Sequence, residues 1–146
     1  VKKEEAVSLV LLYQLEEPLK QRILIADDEV CVVKVLKDRF THWGYLVETA
    51  FDGEEALEKI EYFNPHLIVL DLKMPKLDGI KVLENTKNNY PHTGVLILTA
   101  SQSEITFKTC LASGAADYIL KPFNPENLRE RIERVLKTTL KDTTYA

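Results

Sequence analysis

Leu67-Ile68-Val69-Leu70, closed by Asp71, is the stretch that decides the fold. Four consecutive apolar residues leave no polar face, so the segment reads as a strand covered on both sides, as in a parallel sheet. Three similar runs flank it: Ile23-Leu24-Ile25-Ala26 before, and Val95-Leu96-Ile97-Leu98 and Tyr118-Ile119-Leu120 after. A further segment, Tyr45-Leu46-Val47-Glu48-Thr49, mixes polar and apolar residues, as an edge strand does.

Helix-period segments separate the runs. Segment 30–43 carries Val33, Leu36 and Phe40 on one face. Segment 53–63 follows Asp52 as N-cap, with Glu55 three residues on. Segment 79–89 carries Ile80, Val82 and Leu83. Segment 102–113 follows Ser101, with Glu104 as its capping-box partner, and stops at Gly114. Segment 125–138 opens Asn124-Pro125-Glu126, a cap followed by proline at the first helical position. Five strand–helix pairs in alternation predict a doubly wound α/β sheet with right-handed crossovers. The expected strand order is 2-1-3-4-5, which the alternation alone does not determine.

The residues just past the strands carry the chemistry. Asp27 and Asp28 follow the first strand, Asp71 the third, Thr99 the fourth and Lys121 the fifth. In a parallel sheet these positions share the carboxyl edge, where open α/β sheets bind ligands. With the expected order, Asp27, Asp28 and Asp71 meet within a few ångströms. Three carboxylates that close repel unless a cation joins them or a proton is taken up. Hard oxygen donors in that number suit Mg²⁺. Asp71 is the candidate nucleophile, since a carboxylate can form an aspartyl-phosphate. Lys121 is a second cation for phosphoryl oxygens, and Thr99 is a hydroxyl donor.

In order along the chain, Asp27-Asp28, the stretch Asp71-Leu72-Lys73-Met74-Pro75-Lys76-Leu77-Asp78-Gly79, Thr99 and Lys121-Pro122-Phe123 resemble the signature of the receiver family of response regulators, over about residues 22–138. The resemblance implies a five-stranded, flavodoxin-like fold with order 2-1-3-4-5, Mg²⁺ dependence and a phosphorylation-driven switch. It implies metal ligation by the Asp28 and Asp71 carboxylates, by Asp27 through a bridging water, and by the backbone carbonyl of Lys73. It implies a cis Lys121-Pro122 bond, although unconstrained X-Pro bonds in folded proteins are cis only ~5–6% of the time. Tyr118 falls at the family's aromatic switch position. Lys73 and Ser101, two residues past Asp71 and Thr99, occupy positions that tune the lifetime of the phosphoryl group.

The implied partners are a histidine kinase or histidine phosphotransfer protein as donor, and an output domain or downstream protein as reader of the face formed by the fourth helix, fifth strand and fifth helix. A homodimer is also compatible with the family. The implied role is signalling: the protein would catalyse only its own phosphorylation and dephosphorylation. A haloacid-dehalogenase-type phosphatase would need a second aspartate where Lys73 stands. A pseudo-receiver would lack some of these side chains. A flavin module would need a Ser/Thr/Gly-rich loop where Asp27 and Asp28 stand, and no P-loop or dinucleotide-binding glycine motif is present.

Bulk properties agree with a single domain. The chain has 146 residues, 45% of them hydrophobic and 29% charged. A net charge of −4 argues against nucleic-acid binding, which draws on clustered Lys and Arg. The longest apolar stretch, Val7 to Tyr13, is far short of the ~20 residues of a membrane span. Cys31 and Cys110 are expected as buried free thiols in a reducing compartment, consistent with a cytoplasmic location. His42, His66 and His92 have no metal-ligand spacing. Residues 1–21 read as an N-terminal extension, either an extra helix or a linker; 22–140 as the receiver domain; 141–146 as a tail. The only methionine is Met74, so the sequence reads as a processed product or an excised piece of a longer protein.

Overall fold

Apolar runs without a polar face need cover on both sides, and a parallel sheet between two helical layers supplies it. The computed structural model describes residues 20–145, with side chains described for 20–138. Its strands are β1 Arg22–Ala26, β2 Leu46–Ala50, β3 Leu67–Leu70, β4 Gly94–Thr99 and β5 Asp117–Leu120. Its helices are α1 Val30–His42, α2 Gly53–Phe63, α3 Gly79–Asn89, α4 Glu104–Ala112 and α5 Pro125–Tyr145. The five strands are all parallel, in order β2-β1-β3-β4-β5.

Alternate residues of each inner strand feed different cores. Leu24, Ile68, Leu70, Val95 and Ile97 pack with Ala56, Ile60 and Phe63 of α2, Val82 and Leu83 of α3, and Cys110 of α4. Ile23, Ile25, Leu67, Val69, Leu96 and Leu98 pack with Val33, Leu36 and Phe40 of α1 and Leu128, Ile132 and Leu136 of α5. Every residue of β3 and β4 is buried, whereas β2 is buried only at Ala50, as expected of an edge.

Local signals place most helix ends. Asp52 Oδ1 accepts from Glu55 N at 2.8 Å, and Glu55 Oε1 accepts from Phe51 N at 2.6 Å. Asn124 Oδ1 accepts from Glu126 N at 2.8 Å. Gly114 takes a left-handed φ of 102° after α4, a conformation that costs glycine little.

Several expectations are corrected. The N-cap of α4 is Ser103, not Ser101; its side chain accepts from Thr106 N, and the helix starts at Glu104. Ser101 is held instead in the turn after β4, where its amide donates to Thr99 Oγ1. Cys110 is buried but Cys31 is exposed. Cys31 lies off the Val33–Leu36–Phe40 stripe that α1 turns toward the core. Helix α5 continues through Tyr145 rather than ending near Thr138, as the segment contains neither glycine nor proline to stop it. Residues 1–19, which hold most of the expected N-terminal extension, lie outside the described residues.

At the opposite edge of the sheet from the acidic residues, His66 Nδ1 accepts from Arg22 N at 2.9 Å, and Arg22 Nε donates to Phe63 O and Asn64 O at the end of α2. Burial, aided by the Arg22 charge, pushes the His66 imidazole down to about 4. The unfolded chain therefore binds more protons than the folded one between the ordinary value of 6.5 and about 4. Stability is expected to fall by about 1–2 kcal/mol as the pH drops through that window, allowing for solvent screening. His66→Asn keeps an acceptor for Arg22 N and removes the proton site. Urea unfolding at the two ends of the window is expected to show a shallower pH dependence for the variant than for the parent.

Candidate functional site

Strand pairing brings the acidic residues together. Ala26 is registered with Leu70, and Asp71 N donates to Ala26 O at 2.9 Å, so Asp27 and Asp71 leave adjacent strands at the same height. Carboxylate oxygens of Asp27, Asp28 and Asp71 all lie within 4.8 Å of one another. Asp27 and Asp71 are only 3% and 6% exposed, whereas Asp28 faces solvent.

From the other side, Lys121 N donates to Thr99 O at 2.8 Å, which aligns the ends of β4 and β5. The Lys121-Pro122 bond is cis. Lys121 Nζ reaches back to Asp27 Oδ2 at 2.6 Å, Glu29 Oε1 at 3.1 Å and Asp71 Oδ2 at 3.4 Å. Burial acts to lower its pKa, but these carboxylates outweigh burial and hold it above the ordinary lysine value. Lys121 is thus a fixed positive charge. Asp27 is pushed up, first by burial and then by the charge of Asp71, against the opposing pull of Lys121 and Glu29 N.

The remaining expected residues surround this centre. Thr99 is 1% exposed. The Ser101 backbone is held at both ends, its amide by Thr99 Oγ1 at 3.3 Å and its carbonyl by the Tyr118 hydroxyl at 2.9 Å. The Tyr118 ring is half-buried and stands edge-on to Phe107. Lys73 N points to Asp71 Oδ1 at 3.4 Å, while the Lys73 side chain is exposed. A groove of about 570 Å³, lined by Asp28, Lys73, Met74, Ser101 and Thr106, opens beside the acidic centre.

One ammonium among three aspartates leaves the cluster short of positive charge. The donors are hard carboxylate oxygens, and Asp28 has no hydrogen bond or ion pair among the described residues. This donor set fits a small divalent cation.

A family model for the response regulator receiver domain matches residues 23–133. The chain belongs to the response regulator receiver domain family of two-component systems. Over 119 residues it is 41% identical to the alkaline phosphatase synthesis transcriptional regulatory protein PhoP of Bacillus subtilis, covering 82% of this chain and 50% of that protein. The chain thus spans about half the length of the curated relatives it matches. A CheY-like receiver domain from Methanospirillum hungatei superposes with a TM-score of 0.82 at 33% identity, over 84% of this chain and 98% of that one. A chain of the CheX–CheY–BeF₃–Mg²⁺ complex from Borrelia burgdorferi superposes with a TM-score of 0.74 at 37% identity, over 79% of this chain and 88% of that one. No described helix of the receiver is long and apolar enough to cross a membrane.

The roles of two residues of the receiver site, Gly79 and Glu29, were not read from the sequence. Gly79 lets the loop after β3 fold back onto the strand end: a Cβ there would stand 2.5 Å from Asp71 O and 2.6 Å from Leu72 Cα. Its position at the start of a helix was visible, but the close approach was not. Glu29 adds a carboxylate to Lys121 from the α1 N-cap. The run Asp27-Asp28-Glu29 marked it as acidic, yet nothing in the sequence showed which way it turns.

Proposed function

We propose that this receiver accepts a phosphoryl group on Asp71 from a phosphohistidine donor and presents the change to an output partner. The single observation that carries the reading is the Asp71 carboxylate, buried at the head of the central strand and flanked by a fixed ammonium and two further aspartates. One Asp71 oxygen attacks phosphorus, the P–N bond to the donor imidazole breaks, and the imidazole leaves with the electron pair. Asp28 and Asp71, with Asp27 behind them and the Lys73 carbonyl nearby in sequence, would hold Mg²⁺. When bound, Mg²⁺ offsets the negative charge that gathers on the phosphoryl oxygens.

The protein's own groups supply the response. An added charge of about −1.5 to −2 attracts the Lys121 ammonium and the Thr99 hydroxyl. Thr99 Oγ1 is the acceptor for Ser101 N, and Ser101 O anchors Tyr118. A Thr99 drawn to the phosphoryl group therefore loosens the turn that holds Tyr118, and the ring turns inward. The face of α4, β5 and α5 changes with it. Exposed Ile105, Phe107, Leu111 and Leu120 supply apolar contact area on or beside that face. The donor is a histidine kinase or histidine phosphotransfer protein. The reader is an output domain or downstream protein, or a second copy of the receiver, and the setting is the cytoplasm.

Acetyl phosphate tests the acceptor. Incubation with acetyl phosphate and Mg²⁺ is expected to add one phosphoryl group by intact mass, and chelation of the metal to prevent it. An unmodified mass with Mg²⁺ present, under conditions that load a control receiver, would count against the proposal.

A further inference from the structure

Glu29 occupies the N-cap of α1, yet its side chain makes no capping hydrogen bond. Serine, threonine, aspartate and asparagine are the residues that cap well. The longer glutamate instead carries its carboxylate to Lys121 Nζ at 3.1 Å. An ammonium has three N–H donors. In the resting site all three have acceptors: Asp27 Oδ2, Glu29 Oε1 and Asp71 Oδ2. A phosphoryl group on Asp71 takes over the donor now 3.4 Å from Asp71 Oδ2 and draws the ammonium outward with it, so one of the two remaining contacts, to Asp27 or to Glu29, has to yield.

The burial of the partners decides which one. The side chain of Asp27 is 4% exposed and its contact is the shortest, so releasing it would strand a buried carboxylate. The side chain of Glu29 is 58% exposed and returns to water readily. We propose that Glu29 is a positioning residue for Lys121, a solvent-facing tether that holds the ammonium in its resting place and is released when a phosphoryl group forms on Asp71. Glu29 thereby weights the balance between resting and phosphorylated states without touching the reacting atoms. This inference rests on the phosphoacceptor reading of Asp71.

Beryllofluoride, a phosphoryl mimic, tests the tether by isothermal titration at saturating Mg²⁺, which removes any effect of Glu29 on metal loading. Glu29→Gln removes the charge at nearly constant shape. Glu29→Ser removes the reach and adds a good cap. Both are expected to tighten beryllofluoride binding about two- to fivefold, the range set by the worth of an exposed ion pair. In a Lys121→Ala background, the same Glu29 substitutions are expected to change the affinity by much less. Unchanged or weaker binding by both Glu29 variants, or an equal gain with and without Lys121, would overturn the tether while leaving the acceptor reading intact. Failure of the parent protein to bind beryllofluoride would instead overturn the acceptor reading, and the tether with it.

Discussion

Asp71→Asn is expected to abolish phosphoryl uptake and, at the same time, to stabilise the metal-free protein. An amide oxygen is a far weaker nucleophile than a carboxylate, so no acyl phosphate forms. The stability gain has a separate origin. Asp71 lies within 4.8 Å of two other carboxylates and is paired with Lys121 at a longer distance than Asp27 is, 3.4 Å against 2.6 Å. Removing its charge relieves two repulsions and gives up the weaker of Lys121's two buried contacts. A gain of about 1 kcal/mol without divalent ions is a reasonable balance of these terms, or about 3–4 °C in Tm for a domain of this size. Intact mass after acetyl phosphate treatment reads the first effect, and a thermal scan in chelator reads the second. Labelling of the variant would point to a different acceptor. A lower Tm would mean that the acidic centre is not under electrostatic strain.

Lys121→Ala is expected to move stability the other way. Lys121 is the only cation within salt-bridge distance of Asp27 and Asp71 among the described residues, and both aspartates are nearly inaccessible to water. Deleting one partner of a buried charge pair leaves the other uncompensated, at a cost of about 3 kcal/mol. Mg²⁺ is expected to restore part of that loss, because it supplies the missing positive charge. The rate of phosphorylation by acetyl phosphate is expected to fall by about 10²-fold, the usual cost of removing one stabilising group from a transition state. Chemical denaturation with and without Mg²⁺ and the time course of mass gain read these effects. Combined with Asp71→Asn, the stability loss is expected to shrink, since one of the two stranded carboxylates is gone. Full additivity of the two substitutions would argue that Lys121 and Asp71 are not coupled as their geometry implies.

These two substitutions probe a centre whose members are legible in the sequence. Asp27, Asp28, Asp71, Thr99 and Lys121 each follow an apolar run, and a parallel sheet sends the ends of such runs to one edge. Less legible were features set by direction rather than by order. Ser101 has Glu104 three residues on, whereas Ser103 has Thr106 there, and only the path of the chain after β4 makes Ser103 the cap. Cys31 and Cys110 both sit in helical segments, but only the face each helix turns to the sheet buries one and exposes the other.

By itself, the chain's pattern of residues determined the alternation of strands and helices, the all-parallel sheet and the identity of the acidic, hydroxyl and lysine groups at its edge. Those follow from periodicity and from the rule that unbroken apolar strands need cover on both faces, which are local properties. Tertiary structure alone decided that Lys121 meets Asp27, Glu29 and Asp71 together, and that Gly79 must lack a side chain for the loop to close on the end of β3. The Lys121 contacts join residues 50 to 94 positions apart, and they depend on which strands become neighbours and on where each side chain is aimed. That is settled only when the whole sheet closes between its two helical layers.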